Sequence, residues 1–384
     1  VQFLKANKLF NGKEFLPENS ILVLDDKNNL HDIIKEGVIE NNRVEVLDGI
    51  ITPGFINTHC HLELSHLKNR IPQQTGLPEF GKQVVLLRNT FSREEIIEHM
   101  KEANHEMWSN GIVAVGDISN GETSFLEKAD SRMFYHTFVE LIGLNPKNAD
   151  ITFDKGLELL KQLTYYNLTG SLAPHAPYST STALIKKIAD YNALNRSSFS
   201  IHNQESDEET KFFNGEKNDF EKLYDFLAID ISWFNAPNTS SLESYISCLS
   251  NSSSILVHNT CTQLNDIVLT QSKNVYWCFC PKANQYIENR LPDFALFKEQ
   301  KSKVCFGTDS LASNAQLNLI DEVNIVFDNT PQFSVNDALS ALTYNGAQAL
   351  GILEQFGGFI AGKNAGLNLV REVNQQLKFI KKIA

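Results

Sequence analysis

Between residues 49 and 309 one arrangement recurs along the chain: a short apolar segment, a polar residue at its end, then a stretch of helical periodicity. The apolar segments are "GIITPGFINTH", "GIVAVGDIS", "RMFYHTFVELIG", "LTGSLAPH", "SFSIHNQE", "SSILVHN", "NVYWCFC" and "KVCFGTD". Continuous apolar runs of this length, bounded by turn residues, read as strands buried on both faces of a parallel sheet. The intervening stretches, such as "SREEIIEHMKEANHEMW", "STALIKKIADYNAL" and "SVNDALSALTYNGAQAL", repeat at helix spacing. Eight strand–helix units over roughly 300 residues predict an α/β fold, a (β/α)8 barrel of the TIM type. A doubly wound sheet is the alternative arrangement of the same elements. The long spacer from Ser206 to Asn251 is expected to add helices between the fifth and sixth strands.

The two ends of the chain differ from this middle. Residues 1–50 hold short β-like pieces, "QFLKANKLF", "SILVLDD" and "RVEVLDG", broken by turn residues, and the C-terminal "GGFIAGKNAGLNLVREVNQQLKFIKKIA" returns to short strands. Chain ends often lie close together, so residues 1–50 and 355–384 are expected to pair as one small β-sandwich domain beside a barrel of residues 51–354. With 384 residues, 42% of them hydrophobic, the chain can bury one large core. A net charge of −12 argues against nucleic acid or an anionic membrane surface as the partner. No apolar run is long enough to span a bilayer. The first residues, "VQFLKANKLFNGKEF", lack the apolar segment of a secretory signal, and the six scattered cysteines include no C-x-x-C pair. Both features predict a cytoplasmic protein with reduced thiols. The partner expected is a small molecule, with a homodimer as the assembly to test.

Barrel enzymes carry their chemistry at the C-terminal ends of the strands. The first expected strand ends on His59, His61 and Glu63, the fourth on His175, the fifth on His202 and Glu205, the sixth on His258 and the eighth on Asp309. His59 and His61, two apart on a strand, share one face, with Cys60 on the other. Five of the ten histidines fall at these ends; His31, His99 and His105 read as surface residues, and His136 as a core residue. Buried imidazoles and carboxylates need partners, and one divalent cation satisfies several at once. His59, His61, His202 and Asp309 are therefore the expected ligands. Three neutral imidazoles with a carboxylate suit one zinc ion, or iron as the alternative, and not calcium or magnesium.

At this point the chain resembles the amidohydrolase superfamily, and within it the mononuclear aminohydrolase, or deaminase, branch. "PGFINTHCH" is similar to the family's first-strand H-x-H, "LAPHAPYS" to its strand-four motif, "HNQE" to its H-x-x-E, "VHN" to its strand-six histidine and "GTDS" to its strand-eight aspartate. "CPKAN" resembles a substrate-loop element of the family, and "GKNAGLNLV" departs from it by lacking an acidic residue after the alanine. Binuclear members carry a lysine at the end of strand four, where this chain has His175, so the resemblance implies one metal. It further implies that the cation lowers the pKa of its water toward ~7, with His258 and Asp309 accepting the proton. Glu205 would protonate the ring nitrogen beside the amine-bearing carbon, and ammonia would leave after hydroxide attack.

Glu63 and His175 are assigned to substrate binding. "HCHLELS" followed by "TGLPEFGKQVVLLR" resembles the aminodeoxyfutalosine-deaminating and adenosine-type nucleoside branch, implying an aminated purine-type ring as substrate. Other outcomes within the resemblance are a guanine- or cytosine-type deaminase, a chlorohydrolase, a cyclic-amide hydrolase, or a non-catalytic scaffold. The cytidine-deaminase type of zinc site needs P-C-x-x-C, which "CFCPK" does not provide, and no H-E-x-x-H or glycine-rich phosphate loop occurs. Asp117, Glu140 and Asn284 also lie near strand ends or loops, and the sequence gives them no assigned role.

Overall fold

The computed structural model describes residues 1–40 and 42–384. Strands β1 (Gln2–Leu9), β2 (Ser20–Leu24), β3 (Leu30–Lys35) and β4 (Val44–Pro53) come first. The barrel strands are β5 (Phe55–Cys60), β6 (Ile112–Ser119), β7 (Phe134–Leu141), β8 (Thr169–Pro174), β9 (Phe199–Asn203), β10 (Ser254–His258), β11 (Val275–Phe279) and β12 (Val304–Phe306). The chain closes with β13 (Leu367–Val373) and β14 (Gln376–Lys382). β1–β4 join β13 and β14 in one six-stranded sheet of order β14-β13-β4-β1-β2-β3. The two ends of the chain thus meet in the middle of a sheet, through the antiparallel pairing of β13 with β4.

The first apolar segment divides in a way that its composition does not show. "GIITPGFINTH" reads as one strand, yet Gly49–Pro53 stays in the terminal sheet and Phe55–Cys60 enters the barrel. The boundary expected after residue 50 therefore falls inside β4. Gly54 is the switch between the two strands. A Cβ there would lie 2.3 Å from Val113 Cγ1 and 2.9 Å from the Ala365 carbonyl oxygen, so only glycine allows the sheet and barrel to approach this closely.

β5–β8 and β9–β12 form two parallel four-stranded halves. Their strands are buried on both faces, as in β6, where every residue is buried, which explains the unbroken apolar runs. Hydrogen bonds at the C-terminal ends stitch the halves into a barrel. On one side the His202 N–H donates to the His175 carbonyl at 2.9 Å; on the other, the Thr308 and Asp309 N–H groups both donate to the His59 carbonyl at 3.1 Å. The residues expected to carry the chemistry therefore also close the barrel.

Helices cover the outside. The helix Arg93–Ser109 starts at a full capping box, in which Ser92 accepts from the Glu95 N–H and Glu95 returns to the Ser92 N–H. The spacer after β9 forms the helices Asp207–Phe213 and Phe220–Phe226, as expected. No helix among the described residues is long and apolar enough to cross a membrane. All six cysteines are free.

Candidate metal centre and its cavity

β5 delivers His59 and His61 to one face because its side chains alternate. β9 adds His202, and the turn after β12 adds Asp309. The His61 Nε2 atom lies 3.2 Å from His59 Nε2 and 3.3 Å from His202 Nε2. Asp309 Oδ1 lies 3.7 Å from His59 Nε2 and 3.5 Å from His61 Nε2. A tetrahedral shell with ligand bonds of 2.0–2.1 Å has edges of about 3.3–3.4 Å, close to all four separations.

The protonation states fit a cation as well. The His202 Nδ1–H donates to the His175 carbonyl at 2.7 Å, which leaves the Nε2 lone pair facing the centre. Burial, followed by the surrounding imidazoles, pushes His202 well below its ordinary pKa. Burial and His59 push His61 down to about 3. Burial alone would raise the Asp309 carboxyl, but the facing His59, His61 and His258 rings hold it below the usual range. Neutral imidazoles whose lone pairs converge on a carboxylate repel one another unless a cation sits between them. These four residues fit a single divalent metal ion.

The supporting backbone is bent to this end. Gln204, His258 and Asp309 have φ of 47°, 75° and 55°, conformations that cost a non-glycine residue of order 1–3 kcal/mol each. Asp309 is held there by its N–H to His59 and by the Ser313 hydroxyl, which donates to Oδ2 at 2.6 Å. Gly307 permits the approach: a Cβ there would lie 2.7 Å from both His59 Cβ and its carbonyl oxygen.

Glu205 lies buried beside the centre, with Oε1 3.5 Å from His258 Nε2. Burial, followed by the Asp309 charge, pushes its carboxyl well above the usual range. His258 is fixed on its far side, where Nδ1 meets Asn284 Oδ1 at 2.8 Å. His175 lies in the cavity wall, with Nδ1 2.6 Å from the Ser179 hydroxyl.

Glu63 is not brought into that wall. β5 ends at Cys60 and the chain enters a 3-10 turn over Leu62–Leu67, so the alternation of faces stops before Glu63. Its carboxylate accepts instead from the Asn120 N–H and the Ser124 hydroxyl, both at 3.1 Å. Asn120 in turn donates to Glu140 at 2.8 Å, and both of these residues line the cavity. Asp117 lies behind the centre, paired with the fully buried Lys128 at 2.6 Å, and accepts the Leu62 N–H at 2.8 Å. His136 is a core residue, 3.0 Å from the Ser171 hydroxyl.

The candidate centre forms the floor of a cavity of about 590 Å³. Away from the floor its walls are mostly apolar, among them Leu77, Phe80, Ile142, Tyr178, Phe220 and Leu223. These residues carry no local signal in the sequence, since apolar positions on an amphipathic helix read as core. Among the described residues, Arg88 is the one lysine or arginine in the wall.

The chain resembles known proteins in family, in sequence and in fold. The amidohydrolase family profile matches residues 50–383. An adenosine deaminase of Helicobacter pylori is 27% identical over 328 residues, covering 84% of this chain and 79% of that protein. An aminodeoxyfutalosine deaminase of Nitratiruptor sp. is 24% identical over 381 residues, covering 96% of this chain and 89% of that protein. Among solved structures, Helicobacter pylori aminofutalosine deaminase in complex with methylthio-coformycin superposes with a TM-score of 0.79 at 21% identity, over 100% of both chains. An adenosine deaminase from Xanthomonas campestris with bound zinc superposes at 0.74 and 18% identity, covering 97% of this chain and 85% of that one. The two superpositions establish the shared fold.

Proposed function

The chain belongs to the amidohydrolase family, and from that premise we propose that it is a metal-dependent hydrolytic deaminase of an adenine-type nucleoside, with 6-aminodeoxyfutalosine as the first substrate to test. The observation that carries this reading is the placement of a buried Glu205 carboxyl beside His258, on the floor of the same cavity where His59, His61, His202 and Asp309 converge. The relatives named for deamination of adenosine and aminodeoxyfutalosine support it.

In this reading His59, His61, His202 and Asp309 hold one divalent ion, zinc before iron given the three imidazoles. When bound, the ion supplies Lewis acidity that makes a water nucleophilic near neutral pH. His258, oriented by Asn284, and Asp309 would accept a proton from such a water. Glu205 would donate its proton to the ring nitrogen next to the amine-bearing carbon, which makes that carbon electrophilic toward the water oxygen. The proton taken by His258 and Asp309 would pass to the amine, the C–N bond would break to release ammonia, and the new hydroxyl would return its proton to Glu205 as the carbonyl forms. His175 meets the substrate from the opposite wall. The apolar walls exclude solvent and accommodate a nucleoside with an apolar substituent.

The test is ammonia release from metal-loaded protein across adenosine, methylthioadenosine, S-adenosylhomocysteine, 5′-deoxyadenosine and 6-aminodeoxyfutalosine, with guanine, cytosine and a dihydropyrimidine amide as contrasts. Release from adenine nucleosides alone is expected. Turnover of the cyclic amide without ammonia would overturn the assignment.

A further inference from the structure

Among the described residues, three helices begin at a serine whose hydroxyl accepts the N–H of an acid three residues on, and one of them uses that acid differently. At Ser92 and Ser334 the acid three residues on, Glu95 or Asp337, returns to the N–H of its own cap residue. That closes the ordinary capping box at the surface. At Ser206 the cap hydroxyl accepts the Glu209 N–H at 3.2 Å, as in the others. The Glu209 carboxylate, however, reaches further back along the chain. Oε1 accepts the Gln204 N–H at 3.1 Å, and Oε2 accepts the Glu205 N–H at 2.9 Å.

The two amides that it clamps belong to the turn joining His202 to Glu205. Gln204 holds a left-handed φ of 47° there, a conformation that must be imposed from outside. Its side chain is tied as well, donating to Asp266 at 2.9 Å and accepting from Thr262 at 2.7 Å. Glu209 is 1% exposed, and a carboxylate at such a depth is tolerated only when its oxygens are hydrogen-bonded. An exposed acid would cap the helix as well. The buried one is explained by the turn it grips.

We propose that Glu209 is a positioning residue for Glu205: its carboxylate clamps the two successive amides of the Gln204–Glu205 turn and so aims the Glu205 carboxyl at the reacting nitrogen. This rests on the deaminase reading above.

Because Glu209 acts through Glu205, its effect should vanish once Glu205 cannot do its work. The experiment is a double-mutant cycle on metal-loaded protein, with Glu205→Gln, Glu209→Gln, Glu209→Ala and the paired variants, reading kcat, KM and metal content. Glu209→Gln keeps one acceptor and is expected to lower kcat about tenfold, and Glu209→Ala about a hundredfold or more. KM should stay within about threefold and metal content unchanged. In the Glu205→Gln background the same changes should cost less than about threefold.

Glu95→Ala, which breaks the equivalent surface box, should lower the melting temperature without lowering kcat. If Glu209→Ala does not fold, the Glu209→Gln cycle decides alone. Losses that multiply in the paired variant, or an unchanged kcat in Glu209→Gln, would overturn the positioning role while leaving the deaminase reading intact. A parent protein that releases no ammonia from any adenine nucleoside would overturn both.

Discussion

The carbonyl oxygen of His175 accepts two hydrogen bonds from His202, one from the backbone N–H at 2.9 Å and one from the ring Nδ1–H at 2.7 Å. A single acceptor thus closes one seam of the barrel and fixes which ring nitrogen of His202 is free to bind a cation. Barrel closure and ligand chemistry are one event at this position. The same holds at the other seam, where the His59 carbonyl receives the Asp309 N–H at 3.1 Å.

Removing the ion should therefore loosen the fold as well as stop turnover. Dialysis against a chelator is expected to abolish ammonia release and to lower the melting temperature, since a ligand at 100 times its Kd contributes about 2.7 kcal/mol. Re-addition of zinc should restore both. His202→Ala should carry less than about a tenth of the parent's metal by elemental analysis. Full metal content in that variant would remove His202 from the ligand set.

Glu205→Gln preserves shape and removes the carboxyl's capacity to give and take a proton. Turnover should fall by about 10²–10⁴-fold, the range for losing general acid–base catalysis, with metal content unchanged. Near-parent turnover would rule out the assigned role.

Asn284 touches His258 and not the candidate ligands, so its effect should be graded. Asn284→Leu leaves the His258 Nδ1 without its partner at 2.8 Å. A loss of about 10–100-fold in kcat is expected, as for other residues that orient a site imidazole. KM measured in the same assay should change little.

Acid should destabilise the metal-free protein through its buried imidazoles. His61 falls to about 3 and His258 to about 4, both by burial first. Between those values and the ordinary 6.5 the unfolded chain binds more protons than the folded one, so stability rises with pH across this window and is lost as pH falls through it. Each histidine contributes at most about 1.4 kcal/mol per pH unit. Buried carboxyls such as Glu209, raised to about 7 chiefly by burial, act in the opposite sense, so the reading is a difference: His61→Asn should gain stability relative to the parent apo protein as pH falls from 6.5 to 4. A parent–variant difference that does not change over this range would contradict the burial of the His61 ring.

Gly307→Ala tests the close approach of β12 to β5. Its Cβ would meet His59 at 2.7 Å, and overpacking of this kind costs about 1–3 kcal/mol. A lower melting temperature and weaker metal retention are expected together, because the displaced residue is His59. Loss of stability with parent-like metal affinity would show that the contact relaxes elsewhere.

Much of the site could be read from the chain because its rules are local. A histidine two residues from another on a strand shares its face whatever the rest of the protein does, and His59 with His61 obeys this. Glu63 marks where that rule stops: the strand ends at Cys60, and a 3-10 turn carries Glu63 to Asn120 and Ser124 instead. Asn284 carried no visible role because its partner, His258, is 26 residues away. The apolar cavity wall was equally silent, since Phe220 or Leu223 on a helix looks the same facing a core or a substrate.

By itself, then, the amino-acid sequence determined the alternation of buried strands and helices, their order around a barrel, and the polar side chains at the strand ends. Those follow from side-chain periodicity and chain connectivity, which act over a few residues. Only the tertiary structure decided that one apolar run divides at Gly54 between sheet and barrel, and that Glu209 serves the turn behind it rather than its own helix. It also decided that one carbonyl of His175 both closes the wall and sets a ring's tautomer. Each of these depends on which groups meet across long sequence separations. Such meetings are selected by steric fit and by the cost of leaving a buried donor or acceptor unpaired, and neither is set until the whole chain has packed.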